Sequence, residues 1–351
     1  MSELELRLRV LPRQRATLLQ ALGRRKLAQV SLAARYFDTA DLLLARHGLA
    51  LRLRREGAQW VQALKATLPG SLERLEDEVR LDGPATRARP ELHADTRAGK
   101  RLQALLARHG QPALLLVWRT DVTRTLRRLQ SHGADIEWAL DEGRVEAGDR
   151  GRDVCELELE LKGGDAAGLF AAAHDWLGRH GLWLDVVSKA ERGALLHAGA
   201  TLPPPVKACA PKWDARAAGA LSGEAMLRAM VAACLQQILP NASALADGSD
   251  DPEHVHQLRV GLRRLRSVAR AMAPFAQALP AHWEDDLRPA QDALGRHVDD
   301  WQAARYLEQL ATAEPAAWFA VGWLRAQAAA TVDDGARALR RLGRATPFWR
   351  R

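Results

Sequence analysis

The sequence predicts an α+β protein: an N-terminal antiparallel β-barrel or tunnel domain followed by an all-α helical bundle. Three observations support this assignment. Up to about residue 200, short segments recur in which aliphatic and charged residues alternate with a period of two, as in half-buried strands. Residues 201–207 read TLPPPVK, a composition typical of a stiff extended linker. Beyond about Ala218 the sequence is rich in Ala, Leu and Arg and has helical periodicity without alternating segments.

These features divide the chain into a first domain at 1–200, a Pro-rich linker at 201–218 and a second domain at 219–351. Strands are predicted where the alternation is clearest, at Glu3–Val10, Leu49–Arg54, Ile136–Asp141 and Glu156–Leu161. Helices are predicted between them at Gln14–Arg25 and Asp165–Arg179, with glycines at the turns.

The composition excludes a disordered chain and indicates an anionic partner. Hydrophobic residues make up 47% of the sequence and charged residues 27%, which is enough apolar material for a folded core. The excess of 51 Lys and Arg over 43 Asp and Glu gives a net charge of +8 and an isoelectric point of about 9.9. Such a balance suits nucleic acid, polyphosphate, nucleotides or a membrane surface.

The N-terminal residues and the cysteines of the sequence favour a cytoplasmic protein. Residues 1–5 carry acids where a signal peptide requires cations and an apolar run. No uninterrupted apolar stretch reaches the roughly 18–20 residues of a spanning helix, so no membrane partner is expected. Cys155, Cys209 and Cys234 are far apart and match no CxxC spacing, which argues against a thiolate metal site.

The predicted strands carry acids and bases in two separate groups on their polar faces. The acids are Glu3, Glu5, Glu156, Glu158 and Glu160, and the bases are Arg52, Arg54, Lys65, Arg124 and Lys189. One interpretation is a sheet whose charges point to water. The other is a tunnel in which the acids hold a divalent metal and the bases hold a polyanion, because repelling carboxylates on one strand face require neutralisation. Hard oxygen ligands suit Mg²⁺ or Mn²⁺.

A series of motifs covers nearly all of residues 1–200. They are Glu3-Leu4-Glu5-Leu6-Arg7, Tyr36-Phe37-Asp38-Thr39, Gly48 to Arg54, Trp60 to Lys65, Arg74-Leu75-Glu76, Thr120-Asp121 with Arg124, Ile136-Glu137 to Asp141-Glu142-Gly143, Cys155 to Glu160, and Ser188 to Gly193. In this order they resemble the CYTH domain, the triphosphate tunnel metalloenzyme fold, and most of all its bacterial inorganic triphosphatase branch. The first motif resembles the family's ExExK signature with Arg7 in place of the lysine, which keeps the charge on a planar, rigid group.

The resemblance implies roles for individual residues. Glu3, Glu5, Glu156 and Glu158, with Glu160 as a further candidate, would hold one or two Mg²⁺ or Mn²⁺ ions. Phosphate binding would fall to Arg7, Arg52, Arg54, Lys65, Arg124 and Lys189, and among these Lys65, Lys189 and Arg54 would act in catalysis. Asp141 and Glu137 share the same strand face by parity and are expected to tune the site.

One segment of the second domain concentrates basic residues. Residues 259–270 contain five arginines. The segment Asp250-Asp251-Pro252-Glu253 precedes them and favours the start of a helix. On a helix, one basic stripe is formed by His256, Arg259, Arg263, Arg266 and Arg270, and a parallel apolar stripe by Val255, Leu258, Leu262, Leu265 and Ala269. Five like charges at this spacing favour an anion-binding ridge over a solvated helix face.

The segment Val255 to Arg266 resembles the CHAD domain, a helical module that often follows CYTH domains. The resemblance implies that the five stripe residues bind inorganic polyphosphate. Val298 stands where the later family motif has Arg, and only some 130 residues follow residue 220, so the domain resembles a shortened CHAD domain.

The function expected from the sequence is metal-dependent hydrolysis of inorganic triphosphate to diphosphate and phosphate, with a helical module that binds polyphosphate. One alternative keeps the tunnel but uses it for thiamine triphosphate hydrolysis or adenylate cyclisation. Another is a non-enzymatic protein that binds polyphosphate or nucleic acid. The missing aromatic residues near the Arg stripe disfavour nucleic acid, and retained paired glutamates disfavour a pure anion binder.

Overall fold

The computed structural model describes residues 2–23, 27–67, 74–211, 219, 221–276, 287–288, 291–292, 294, 303–304, 308, 320–321 and 323–327. The chain forms two compact units. The first comprises Met1–Ala173 with Leu184–Pro203, and the second comprises His174–Trp183 with Pro204–Arg351.

The described residues before residue 200 form ten strands and five helices. The strands are β1 (Ser2–Glu3), β2 (Glu5–Arg9), β3 (Ala28–Asp38), β4 (Leu49–Glu56), β5 (Gln59–Thr67), β6 (Arg74–Leu81), β7 (Leu115–Ser131), β8 (Ala134–Ala147), β9 (Arg150–Gly163) and β10 (Trp183–Leu184). The helices are α1 (Arg15–Leu22), α2 (Leu43–Arg46), α3 (Arg97–Arg108), α4 (Ala166–His180) and α5 (Lys189–His197), with short 3₁₀ turns at Pro12–Gln14 and Pro90–His93. The four strands and the two helices predicted here are confirmed, except that α1 ends at Leu22 instead of Arg25. Residues 24–25 of that helix prediction lie outside the described residues.

The strands form one sheet in the order β1-β6-β5-β4-β3-β7-β8-β9-β2-β10. The pairs formed among β1 to β9 are antiparallel, which confirms the predicted α+β class. The predicted strand Glu3–Val10 is divided at Leu4 into β1 and β2. β1 pairs with β6 and β2 pairs with β9. Because β6 and β9 lie near opposite ends of the strand order, the short N-terminal segment forms backbone hydrogen bonds with both ends of the sheet.

The period-two pattern separates a charged face from an apolar face. On β4, Leu49, Leu51 and Leu53 are buried, whereas Arg52 and Arg54 point to the opposite face. Leu49 and Leu51 pack in one hydrophobic cluster with α2 and with Leu102 and Leu106 of α3, and Leu53 packs in a second cluster. The helices therefore cover the leucine face of the sheet, and Arg52 and Arg54 lie on the opposite face.

Close packing between α5 and the sheet depends on one glycine. A Cβ atom at Gly193 would lie 2.1 Å from Cδ1 of Trp118 on β7, a distance that no side chain tolerates. Trp118 is buried, and its ring stacks on Tyr36 with 5.3 Å between the ring centroids. Gly193 therefore allows α5, and with it Lys189 at its first position, to lie directly against the sheet.

The second unit contains helices α6 (Gly223–Ala246) and α7 (Pro252–Met272). α7 begins as predicted, because the Asp251 side chain accepts a hydrogen bond from the backbone of Glu253 and Pro252 occupies the first helical position. The whole predicted apolar stripe is buried, in a cluster that includes Cys234 and Ile238 of α6. The prediction of a helix with one core-facing stripe is therefore confirmed.

The described part of the predicted linker, 201–211, has no helix or strand, and its remainder to 218 lies outside the described residues. The linker is nevertheless attached to the helices of the second unit. Asn241 of α6 accepts from the Val206 backbone N–H at 3.1 Å and donates to its carbonyl at 2.9 Å, and Arg264 of α7 donates to the Cys209 carbonyl at 3.1 Å.

Among the described residues, α6 is long and apolar enough to cross a membrane by length and composition alone. A single such helix is weak evidence, because the core helix of a soluble protein meets the same criterion. α6 also buries Gln237 and Asn241, and Gln237 donates a hydrogen bond of 2.8 Å to Gln257 of α7.

Candidate active site in the central cavity

The charged faces of the strands line a cavity of about 820 Å³, which we call the central cavity. Its lining includes side chains from β2, β4, β5, β6, β7, β9 and α5. The ionisable residues among them are Glu5, Arg7, Arg52, Arg54, Glu56, Lys65, Glu76, Asp77, Glu78, Arg124, Glu137, Glu158, Glu160, Lys162, Lys189 and Glu191. Acids and bases therefore line one cavity.

Three buried carboxylates meet beside this cavity, and one of them, Glu158, lines it. Asp141 on β8 lies directly opposite Glu156 on β9, and Glu158 follows two residues later on the same face. One ligand oxygen from each residue lies within 4.8 Å of the others. Asp141, Glu156 and Glu158 are 0%, 1% and 8% exposed, respectively. We call this group the carboxylate triad.

Two basic side chains neutralise the triad. Lys189 Nζ lies 2.7 Å from Asp141 Oδ2 and 2.8 Å from Glu158 Oε1, and it also contacts Glu156 Oε1. Arg124 donates from Nε and Nη2 to the two oxygens of Asp141, each at 2.7 Å, and also contacts Glu158. Because buried charges are stable when they are paired and hydrogen-bonded, Lys189 and Arg124 allow three acids to lie together.

The two glutamates of the triad respond differently to this environment. Burial raises the pKa of Glu156 above its ordinary value, and Lys189 offsets this only in part. For Glu158 burial acts in the same direction, but Lys189 and Arg124 together hold its pKa well below the ordinary value. Burial alone would lower the pKa of Lys189, yet the attraction of Glu156, Glu158 and Asp141 raises it, so the ammonium stays charged.

Arg7, which stands where the family has lysine, lies beside the triad. It is opposite Glu158 in the β2–β9 ladder, is 6% exposed, and its Nη2 donates to the Val186 carbonyl at 3.1 Å. Its Nε lies 3.9 Å from Glu5 Oε1. Burial alone would lower the pKa of Arg7, but Glu5 and then Glu156 raise it above the ordinary value.

A capping box and a buried ion pair fix the start of α5. Ser188 and Glu191 form a capping box in which each side chain accepts from the backbone N–H of the other. Arg192 forms a buried ion pair with Asp185, whose other oxygen accepts from the Val187 backbone at 2.9 Å. These contacts fix the backbone on both sides of Lys189.

A second charged group lies on β4, β5 and β6, and we call it the basic wall. It consists of Arg52, Arg54 and Lys65, paired with Glu76 and Glu78. Lys65 Nζ is 2.8 Å from Glu76 Oε2, and Arg54 Nη2 is 2.9 Å from Glu78 Oε1. Arg52 reaches Glu76 at 3.5 Å and the Tyr36 hydroxyl at 3.4 Å. Burial alone would lower the pKa of Arg52, but Tyr36 and Glu76 raise it, whereas burial and Arg52 lower the pKa of Arg54.

The structure brings together most of the residues singled out in the sequence. Glu156, Glu158, Arg124, Lys189 and Arg7 lie in or beside the triad, with Glu5 adjacent, and the basic wall contains Arg52, Arg54 and Lys65. Glu160 lies one step further along β9, where it pairs with Lys162 at 2.5 Å. The backbone of Glu3 lies opposite Arg74 in the β1–β6 ladder, and its side chain lies outside the described residues.

Three carboxylates of the site are not among the metal ligands predicted from the sequence. Asp141 was expected only to tune the site, yet it is the least exposed member of the triad. Glu76 and Glu78 were not predicted as the partners of the basic wall. The alternation in RLEDEVRL along β6 contains the signal, since it places both glutamates on the same face as the facing bases.

The triad has the chemistry of a divalent metal site. Carboxylate oxygens are the preferred ligands of hard divalent cations, and three of them converge within a short distance. The neighbouring basic side chains are donors suited to phosphate oxygens. Such an arrangement can hold a metal and a polyanion side by side.

The second unit presents the predicted basic stripe. Arg263 and Arg270 are exposed, while His256, Arg259 and Arg266 are half-buried beside the apolar stripe. Arg266 contacts the Gln291 side chain. Arg264 lies off the stripe and has a different role, because its Nη1 donates to the buried Gln237 side chain at 2.6 Å.

Comparison with known families agrees with this arrangement. Residues 1–194 match the family described as CYTH domain, and residues 229–348 match the family described as CHAD domain. The chain is 27% identical over 204 residues to an inorganic triphosphatase of Haemophilus influenzae, which covers 56% of this chain and 55% of that protein. The chain thus spans about half the length of this curated relative.

Solved structures similar to the chain include a putative adenylyl cyclase from Hippeastrum, described as having a dominant triphosphatase activity. It is 22% identical with a TM-score of 0.39, covering 57% of this chain and 97% of that one. A putative adenylate cyclase from Bacillus halodurans is 16% identical with a TM-score of 0.33, covering 50% of this chain and 87% of that one. The PH1012 protein from Pyrococcus horikoshii is 16% identical with a TM-score of 0.33, covering 51% and 90%.

Proposed function

The chain belongs to the CYTH domain family, and from this membership we propose that it hydrolyses inorganic triphosphate to diphosphate and phosphate with Mg²⁺ or Mn²⁺. The observation that carries the proposal is a buried carboxylate triad that reaches, through Glu158, the same cavity that the basic wall lines. The likeness to an inorganic triphosphatase supports the choice of substrate among triphosphorylated compounds.

The basic wall would bind the phosphate chain. Arg52, Arg54 and Lys65 lie on the same face of adjacent strands, so their donors can contact successive phosphates. Each is now paired with Glu76 or Glu78, and these acids hold the donors in place before the chain arrives. Because these side chains are largely buried, such contacts are stronger than at the surface, where more water screens them.

Asp141, Glu156 and Glu158 would hold the metal, with Glu5 as the adjacent carboxylate. The bound ion would neutralise charge on phosphate oxygens and lower the pKa of a water molecule. Arg124, Arg7 and Lys189 would orient the phosphoryl group beside it and offset the charge that develops during transfer. Phosphoryl transfer requires positioning and charge neutralisation more than covalent chemistry from the protein.

The test is a phosphate-release assay on the full chain with triphosphate, thiamine triphosphate, ATP and long-chain polyphosphate. Each substrate is measured with Mg²⁺, with Mn²⁺ and with EDTA, and ATP reactions are also examined for cyclic AMP. We expect triphosphate to be hydrolysed fastest and only with metal. Faster hydrolysis of thiamine triphosphate or formation of cyclic AMP would assign the cavity to that reaction, and no turnover of any substrate would leave an anion-binding protein.

For the second unit we propose binding of inorganic polyphosphate through the stripe on α7. The match to the CHAD domain and the row formed by His256, Arg259, Arg263, Arg266 and Arg270 support it. Filter binding or calorimetry with polyphosphate of defined length tests this proposal, with DNA and RNA of equal charge as competitors. Equal competition by nucleic acid would instead indicate a general basic surface.

A further inference from the structure

Lys189 lies where a divalent cation bound by the triad would lie. Its ammonium contacts all three carboxylates, at 2.7 Å from Asp141, 2.8 Å from Glu158 and in contact with Glu156. One oxygen from each of these three carboxylates lies within 4.8 Å of the others, close enough for the group to ligate one ion. The ammonium and a divalent ion therefore compete for one set of ligands, since both require the space between the oxygens.

Of the two bases on the triad, Lys189 is the one that can leave. Arg124 is a planar group held by two hydrogen bonds of 2.7 Å to Asp141, the residue directly opposite it on the neighbouring strand. Lys189 carries a single charged atom on a flexible four-carbon stem. An incoming divalent ion would therefore displace the ammonium more readily than the guanidinium.

The side chain of Lys189 can move while its backbone stays in place. The Ser188–Glu191 capping box and the buried pair between Asp185 and Arg192 fix the first turn of α5. Lys189 also lines the central cavity, which the basic wall lines from other strands. Once released from the triad, the ammonium would remain inside the cavity and face the phosphate chain.

We propose that Lys189 is a tethered counter-cation of the triad, which a divalent metal displaces when it binds and which then binds the phosphate chain. The inference rests on the proposed metal site of the triad. It makes metal loading and phosphate binding favour each other, because the metal releases Lys189 and the phosphate chain provides its new partner. By linkage the phosphate chain strengthens metal binding by the same factor.

The experiment measures Mn²⁺ affinity of the full chain by calorimetry without any phosphate compound. Lys189→Met removes the competing ammonium and keeps the length of the side chain, so we expect Mn²⁺ to bind at least about tenfold more tightly than to the unaltered chain. Lys189→Ala leaves room for a soluble cation, and there ethylammonium should compete with Mn²⁺, which it should not do in Lys189→Met.

Two matched variants separate this effect from the general loss of a positive charge. Lys65→Met removes a cavity lysine that pairs with Glu76 instead of the triad, and we expect a change in Mn²⁺ affinity of less than about threefold. Lys162→Met removes the partner of Glu160, so tighter Mn²⁺ binding there would place the ion at Glu160. Equal gains in Lys65→Met and Lys189→Met would overturn the inference.

Loss of Lys189 leaves three buried acids poorly balanced, and the variant could fail to fold without metal. Thermal unfolding with and without Mn²⁺ resolves this case. Folding restored by Mn²⁺ supports the inference, because the metal then replaces the ammonium, and a variant that Mn²⁺ does not restore contradicts it. Tighter Mn²⁺ binding in Lys189→Met, together with no phosphate release by the unaltered chain, would refute the proposed reaction alone. Phosphate release by the unaltered chain with unchanged Mn²⁺ affinity in Lys189→Met would refute the counter-cation alone.

Discussion

Arg124 and Asp141 lie directly opposite each other on β7 and β8 and are joined by two hydrogen bonds of 2.7 Å. Asp141 has a second cross-strand neighbour, Glu156, on its other side. The ion pair thus holds the Asp141 carboxylate beside that of Glu156. Asp141 thereby joins the two glutamates of β9 in a group of three carboxylates. Asp141 belongs to the candidate site as much as the glutamates do.

We expect Asp141→Asn to lower triphosphate hydrolysis by about 10–100-fold and to weaken Mn²⁺ binding, because a negative ligand is lost and Arg124 loses its charged partner. Phosphate release and Mn²⁺ calorimetry measure both effects. Asp135→Asn is the matched control, since Asp135 forms an exposed pair with Arg128 between the same two strands. Similar losses in both variants would remove Asp141 from the site.

Glu158 and Glu160 share one face of β9 but have different partners. Glu158 contacts Lys189 and Arg124 within the triad, whereas Glu160 pairs with Lys162. We therefore expect Glu158→Gln to reduce turnover at least about tenfold more than Glu160→Gln. Steady-state kinetics with triphosphate and Mg²⁺ provide the measurement. A larger loss in Glu160→Gln would indicate that the metal binds at Glu160 and not at the triad.

The alternating pattern was sufficient to predict the strands, because side-chain parity depends only on local sequence. It predicted that Glu156 and Glu158 share a face and that Arg52 and Arg54 share another. It could not predict which strands are neighbours. The separate pairing of β1 and β2 and the central position of Asp141 both depend on sheet order.

The position of Lys189 required the tertiary structure in a different way. Its helix reaches the triad because Gly193 allows α5 to pack on Trp118, a contact between segments about 75 residues apart in the chain. The resemblance to a family suggested that Lys189 binds phosphate, but no pattern in the sequence showed that its ammonium contacts the three acids. Cation–acid pairs of this kind follow from packing and cannot be read from spacing.

Packing at Gly193 leads to a prediction of its own. Gly193→Ala would place a methyl group into the Trp118 ring, so α5 has to shift, and we expect a stability loss of about 1–3 kcal/mol together with reduced turnover. Urea unfolding would measure the stability loss, and phosphate release from triphosphate would measure the turnover. Gly83→Ala is the control, because nothing lies within 4 Å of a Cβ there. Unchanged unfolding in Gly193→Ala would contradict the close contact.

Stability should depend on pH through Glu158. Burial would raise the pKa of this carboxyl, but Lys189 and Arg124 hold it well below the ordinary value in the folded chain. As the pH falls, the unfolded chain binds this proton first, near its ordinary pKa of about 4.3. Glu158 therefore stabilises the fold above that pH, and the contribution is lost as the pH falls towards the lowered pKa.

Urea unfolding at several pH values between about 7 and 3 tests this assignment. We expect the stability of Glu158→Gln to fall less steeply below about pH 4.3 than that of the unaltered chain. Glu156→Gln provides the contrast, because burial raises the pKa of Glu156 and its contribution has the opposite sign. The same slope for all three proteins would show that neither glutamate has a shifted pKa.

The last prediction concerns the exposed arginines of the basic stripe on α7. Arg263 and Arg270 point to solvent, and Arg264 between them instead donates to Gln237 at 2.6 Å and to the Cys209 carbonyl at 3.1 Å. Replacing Arg263 and Arg270 together by Gln should leave the apolar stripe intact. Polyphosphate affinity should then fall at least about tenfold, and the slope of log K against log salt should decrease by roughly 2, one for each lost phosphate contact.

Arg264→Gln is the matched control for this pair because it removes the same charge from the same helix. It should cost about 1–3 kcal/mol of unfolding free energy, since a buried amide and a linker carbonyl lose their donor. Its effect on the salt slope should be much smaller than that of the double substitution. If Arg264→Gln flattened the salt slope as strongly as the double substitution, the anion would contact the whole basic segment, and the distinction between an anion-binding stripe and a linker-binding arginine would fail.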